Sequence, residues 1–218
     1  MTVMRMYKQT DKYLKRLKQE LATEYRKLSL MPFDQLHVLR VKKETKTLFS
    51  KVDEMNRKNY TKICDYVEWW AIYEFFKDRD DLDEATKPKS QHVVDKIIKS
   101  YNPTTGYRYA PEWERKRLRA VEELMTAISL NDFLRYQKAC KKTIDLMYTQ
   151  SMQYAIDCAD EMEEEVMEWA GEKHVIWRAE KDERTCTVCK ERDGIRYRIR
   201  EVPPKPHYNC RCWLEPGD

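Results

Sequence analysis

The sequence predicts a mainly α protein, with an elongated helical body over residues 1–170 and a small C-terminal α+β module over residues 171–218. Three observations predict this. All four glycines fall at or after position 106, so the first hundred residues contain none. Within that stretch apolar residues recur at helical spacing among lysines and glutamates, the pattern of long amphipathic helices. After Gly171 the pattern changes to short alternating runs, and five metal-competent side chains crowd into the final segment.

The elements follow in order. Leu14, Leu17, Leu21, Tyr25 and Leu28 make one apolar stripe, and "MPF" breaks that helix. Asp34 is placed to cap the next one, in which Val41, Leu48 and Met55 repeat at seven with Val52 between. "YTKICDYVEWWAIYEFF" continues as an aromatic-rich helix expected to be deeply packed, with Cys64 as a small core residue. "KDRDDLDEATKPKS" (77–90) reads as a polar, structureless linker. Its carboxylates lack the glycine that a calcium loop needs at its sixth position. "HVVDKIIKS" predicts a short helix, and "YNPTTGYRYAPEW" a turn-rich crossing. Two further helices are expected over about 112–128 and 131–170, with Cys140 and Cys158 as packing residues.

In the tail, "HVIWRAE" predicts a short strand. "GIRYRIREV" alternates, placing Ile195, Tyr197 and Ile199 on one side and Arg196, Arg198 and Arg200 on the other. Pro203, Pro204 and Pro206 end it. So small a region buries little core of its own and needs a staple or a surface to dock on.

The cysteines offer the staple. Of seven, four lie in CxxC and CxC pairs. The N-terminus lacks the apolar segment of a secretory signal, which favours metal binding or reduced thiols over disulfides. Cys186-x2-Cys189 followed by His207-x2-Cys210 is close to zinc-finger pairing, and thiolates with imidazole suit zinc. Cys212 is a fifth candidate: in an extended "CRC" both sulfurs point to one side, so it can replace His207 or compete with Cys210. The expectation is one structural zinc per chain, held by four of these five. Reduced thiols packed around a turn, or a redox CxxC, are the alternatives, and no thioredoxin-like βαβ pattern surrounds the pair.

Composition bounds the partners. The chain is 37% charged, with a net charge of +4 and mean hydropathy −0.88. No run approaches the ~18 apolar residues of a membrane span, so no membrane partner is expected. The charge is unevenly spread: residues 1–60 hold 15 Lys/Arg against 7 Asp/Glu, and residues 111–170 hold 8 against 13. A basic front suits nucleic acid or an acidic protein surface, with Lys12, Lys15, Arg16 and Lys18 as candidate phosphate contacts. Arg196, Arg198 and Arg200 form a second cationic edge. The plainer readings are solvated helices for the first set and an edge strand blunted by charge for the second. No Gly-rich phosphate loop, Ser/His/Asp set or HExxH occurs, so the body offers no catalytic constellation.

"WRAEKDERTCTVCKERDGIRYRI…PPKPHYNCRC" resembles the C-terminal signature of bacteriophage minor head, or head morphogenesis, proteins of the phage Mu gene F type. The family pattern falls on Trp177, Asp182, Arg184, Thr185, Cys186, Cys189, Asp193, Gly194, Pro206, His207, Asn209, Cys210, Arg211 and Cys212. Tyr208 departs from it, standing where the family often has proline. "YNPTTGYRYAPEWERKRLRAVEEL" also resembles a segment of such proteins from phages of Gram-positive hosts. The firm part of the match covers about forty residues. The resemblance implies a structural virion protein inside the phage head near the portal vertex, present in the host cytoplasm during assembly. It further implies partners among the portal and other head proteins, and a part in head assembly and in packaging or delivery of DNA, which would be contacted without regard to sequence. Some longer relatives carry an enzyme or toxin domain after the motif. This chain ends six residues past Cys212, so no enzyme is expected.

Two other classes fit less well. A zinc-stapled nucleic-acid-binding regulator would place a reading helix directly behind its second ligand pair, where only "WLEPGD" follows. A metal-dependent nuclease of the HNH type needs catalytic histidines around a second, hydrolytic metal, and the spare histidine nearby is His174.

Overall fold

The computed structural model describes residues 6–30, 33, 38–99, 109–207 and 210–217. It is mainly α, with a small three-stranded C-terminal sheet. The helices are α1 (Met6–Ser29), α2 (Val38–Ala71), α3 (Ser90–Lys99), α4 (Tyr109–Ser129), α5 (Phe133–Trp169) and the short α6 (Thr187–Arg192). The strands are β1 (His174–Arg178), β2 (Arg196–Arg198) and β3 (Trp213–Pro216). The expected cap at Asp34 and the crossing over 101–108 lie outside the described residues. The chain divides into two compact units, one of Met1–Thr10, Tyr60–Ile98 and Tyr154–Asp218, the other of Asp11–Asn59 and Lys99–Gln153.

In the second unit the α1 stripe packs as its period predicts: Leu14, Leu17, Leu21 and Leu28 are buried. Leu28 joins Val41, Leu124, Ile128 and Tyr136 in one apolar cluster. Tyr136 donates its hydroxyl to the Leu28 carbonyl at 2.7 Å, satisfying an acceptor that the end of α1 leaves open. Asn56 ties three helices together. Its Oδ1 accepts from the Tyr13 hydroxyl, and its Nδ2 donates to Ser151 Oγ at 2.9 Å. Asn131 takes a positive φ of 54° before α5, and Asp132 caps that helix by accepting from Arg135 N at 2.9 Å.

In the first unit the aromatic segment at 60–76 is packed on one face only. Tyr60, Ile63, Cys64, Val67, Trp70 and Phe76 are buried, but Trp69 and Tyr73 are about half exposed. The run passes from α2 into a π-helical turn at Ile72–Phe76. A helix turns each residue in rotation past the core, so an unbroken aromatic run cannot all be inside. The expected structureless linker is also partly built. Asp83 caps a single 3-10 turn at Glu84–Thr86, Trp169 Nε1 donates to the Asp83 carbonyl at 3.0 Å, and Arg79 reaches the Ala170 carbonyl at 3.1 Å.

The acidic second half of α5 is matched from within the same unit. Lys96 of α3 bridges Glu161 and Glu165, Lys205 pairs with Asp160, and Glu163 accepts from Leu214 N at 3.2 Å. The Lys205 and Leu214 contacts dock the tail on α5, supplying the surface that so small a region requires.

The sheet runs β2-β1-β3, antiparallel throughout. Val175 and Trp177 of β1 point inward, with Leu214 of β3 opposite Trp177. β3 ends in a close approach: Gly217 N donates to the His174 carbonyl at 3.0 Å, and a Cβ at 217 would stand 2.9 Å from that group. Two elements differ from the sequence reading. The alternating strand stops at Arg198, because Ile199 turns inward and donates its N–H to the Lys173 carbonyl at 3.1 Å, opening a 3-10 turn. The residues after Cys212, too short to signal a strand alone, find their partner in β1.

Candidate metal centre

The centre is built on the β1-to-β2 connection. Asp182 holds the loop before Cys186: its Oδ1 accepts from Arg184 N at 3.0 Å and from Thr185 Oγ1 at 3.1 Å. Cys186 then caps α6, its Sγ accepting from Cys189 N at 3.4 Å. This N–H to sulfur contact is one a thiolate prefers, and it holds the Cys186 thiol below its ordinary pKa, with His207 adding to the effect. One helical turn brings Cys189 beside it. Gly194, with a φ of 81°, ends α6 and donates to the Trp177 carbonyl at 2.8 Å, returning the chain to β1.

The second ligand pair arrives from the proline-rich segment. Cys189 Sγ lies 3.6 Å from His207 Nε2 and 3.6 Å from Cys210 Sγ. Two overlapping triads result, Cys186–Cys189–His207 and Cys189–Cys210–Cys212, each with its donor atoms within 4.8 Å of one another. Cys189, Cys210 and Cys212 are buried, Cys186 is half-buried and His207 is exposed. All five predicted candidates thus converge on Cys189, and the group can hold a metal ion. No disulfide joins any of the seven cysteines.

The electrostatics of the sulfurs point the same way. Burial pushes the Cys189 thiol up to about 12, with Cys186 adding to it. Cys210 is pulled down to about 5 by the Cys212 thiol, which donates to it, and by Lys205. Cys212 rises correspondingly, because a second thiolate beside Cys210 would be repelled. The cluster cannot carry several negative charges unaided. A bound dication removes that repulsion.

Arg211, between the last two cysteines, is fixed by Asp182 through two charge-assisted hydrogen bonds of 2.6 and 2.5 Å. The carboxyl is held well below its usual range mainly by that guanidinium. Sequence reasoning placed Asp182 and Arg211 in a motif without giving them this joint task.

The candidate phosphate contacts lie on other elements, the first four on α1 and the rest on β2 and the turn after it. Lys12, Lys15, Arg16 and Lys18 are exposed on α1, and Arg16 pairs with Glu20 at 2.8 Å. Arg196 meets His174 Nδ1 at 3.1 Å, Arg198 lies 3.6 Å from Glu201, and Arg200 donates to Glu168 at 2.9 Å. A more uniform cationic face was missed. Lys42, Lys43 and Lys46 line a shallow groove on α2 with Leu39, Thr47 and Ser50, and among the described residues no carboxylate lines it. The 39, 42, 43, 46 spacing, one face of a helix, was the signal available. Among the described residues no helix is long and apolar enough to cross a membrane.

Neither a scan of protein-family models nor searches of curated proteins and of solved structures finds a match to this chain.

Proposed function

We propose that this chain is a minor head protein of a bacteriophage, a structural component at the portal vertex whose C-terminal module is folded around one zinc ion. It acts in head assembly and in packaging or delivery of DNA, without catalysing a reaction. The observation that carries the reading is how the motif residues are used. Asp182 grips Arg211, Thr185 and Cys186 start α6, Gly194 ends it, and the cysteines and His207 converge on one point. The motif reads as a folding signature, which is what a shared structural protein requires of it.

Zinc is the ion that suits this donor set. Sulfur and imidazole donors in a largely buried site favour it over oxygen-seeking cations. Such binding supplies about 10–16 kcal/mol in small metal-folded units, enough to stabilise a tail with three short strands. His174, the spare histidine near the motif, is engaged by Arg196 on the sheet, and the chain after Cys212 is a strand rather than a reading helix. Neither the nuclease nor the regulator reading therefore gains a supporting feature.

The portal half of the proposal is tested by co-sedimentation with portal rings. Zinc-loaded protein mixed with assembled rings of its own phage should sediment with them. Protein remaining wholly in the supernatant at micromolar concentration would remove the assignment to the portal vertex.

A further inference from the structure

We infer that the ion is held by Cys186, Cys189, His207 and Cys212, with Cys210 left outside its coordination sphere. The inference rests on the zinc reading above and deepens it, because the spacing of the sequence alone pairs His207 with Cys210.

Five donors surround a position that takes four, so one is surplus. The two triads share Cys189, which makes that sulfur common to every candidate set. What separates the remaining four is the direction each faces. A small crevice at the cluster is walled by Cys186, Cys189, His207 and Cys212, with Arg184 and Arg211 also in its wall. Cys210 does not line it. Cys210 is buried, as Cys189 and Cys212 are, and its sulfur lies 3.6 Å from Cys189 Sγ, within electrostatic reach of Lys205 and Asp160.

The movements required also differ. Cys186, Cys189 and His207 already have their donor atoms within 4.8 Å of one another. Cys212 borders the same crevice and its sulfur lies within 4.8 Å of Cys189 Sγ, which makes it the fourth donor on that side. Recruiting Cys210 instead would draw its sulfur from the Lys205 ammonium, which anchors the proline-rich segment on Asp160 of α5. The fold gives Cys210 a different place: it stands between the metal site and that anchor.

The test uses the full chain loaded with cadmium-113, a zinc surrogate whose scalar couplings identify the ligating residues directly. A proton–cadmium correlation spectrum should show the β-protons of Cys186, Cys189 and Cys212 and the ring of His207 coupled to a single cadmium, with no coupling from Cys210. Coupling to Cys210 and none to Cys212 would overturn the assignment while leaving the metal-folded module standing. Failure of the chain to take up either cadmium or zinc would remove both. A second measurement guards against variants that misfold: zinc affinity from competition with a chromogenic chelator. Cys210→Ser should keep one zinc, with affinity lowered no more than about tenfold, the lower end of the effect of residues adjoining a metal's ligands. Cys212→Ser should lose far more, and the reverse order contradicts the inference.

Discussion

Asp182 and Arg211 face each other as a two-pronged ion pair, with N–O distances of 2.6 and 2.5 Å. The pair joins the loop leading into Cys186 to the residue between Cys210 and Cys212. It therefore couples the two halves of the candidate metal centre, which are separated in sequence by α6, β2 and the proline-rich segment.

Replacing Asp182 by alanine should free Arg211 and loosen the Thr185 turn together. Zinc affinity is expected to fall about 10–100-fold, the usual effect of losing a group that orients metal ligands. Arg211→Lys should also weaken binding, since an ammonium cannot make both prongs. Chelator competition on the two variants checks this, and affinity equal to wild type in both would separate the pair from the metal site.

Asn56 is the polar knot of the second unit. Asn56→Ala leaves the buried Tyr13 hydroxyl and Ser151 without that partner. It should cost about 1–3 kcal/mol, the penalty for abandoning buried hydrogen-bonding groups. Urea unfolding followed by circular dichroism measures it, with a lower midpoint and an unchanged slope expected.

Much of this architecture was legible in the sequence. Helix positions followed from the period of Leu14, Leu17, Leu21 and Leu28, which requires nothing beyond a single apolar stripe. The five candidate ligands followed from their crowding. What was not legible depends on contacts between distant segments. The strand at Trp213–Pro216 exists because β1 pairs with it, and the alternating row ends where Ile199 donates to the Lys173 carbonyl, leaving Arg200 to pair with Glu168 of α5. The half-exposed Trp69 and Tyr73 show the opposite limit, where composition suggested burial and helical rotation prevented it.

Glu163 gives a pH dependence. It is 1% exposed, accepts one hydrogen bond from Leu214 N, and faces Asp160, Glu164 and Lys205. Burial lifts its pKa to about 8, against a partial opposing pull from Lys205. The folded chain thus retains a proton that the unfolded chain loses near the ordinary carboxylate value. The resulting stability is complete below that value and is lost as pH rises through about 8. Glu163→Gln keeps the acceptor and removes the charge. Its melting temperature should match wild type near pH 5 and exceed it by several degrees near pH 9, with zinc present throughout. A constant difference across that range would contradict the assignment.

The lysine face of α2 sharpens the expectation of DNA contact. Binding should be independent of sequence and fall steeply with salt, with a log–log slope of about −0.9 per phosphate neutralised. Changing Lys42, Lys43 and Lys46 to Gln should make that slope shallower by up to about three contacts' worth. The same change at Lys12, Lys15, Arg16 and Lys18 should have less effect per residue, since Arg16 is already shared with Glu20. Gel shifts from low to moderate salt compare the two variants. No binding by wild type at low salt would remove DNA as a partner and leave portal association standing.

The most direct test of the account is the metal content of the chain itself. Protein purified without chelator should carry one zinc per chain by elemental analysis. Removing that zinc should expose the C-terminal thiols to titration and loosen residues 171–218, while the helical signal of the second unit persists. Metal-free protein whose tail stays folded, with Cys186, Cys189, Cys210 and Cys212 titrating as ordinary thiols, would contradict it.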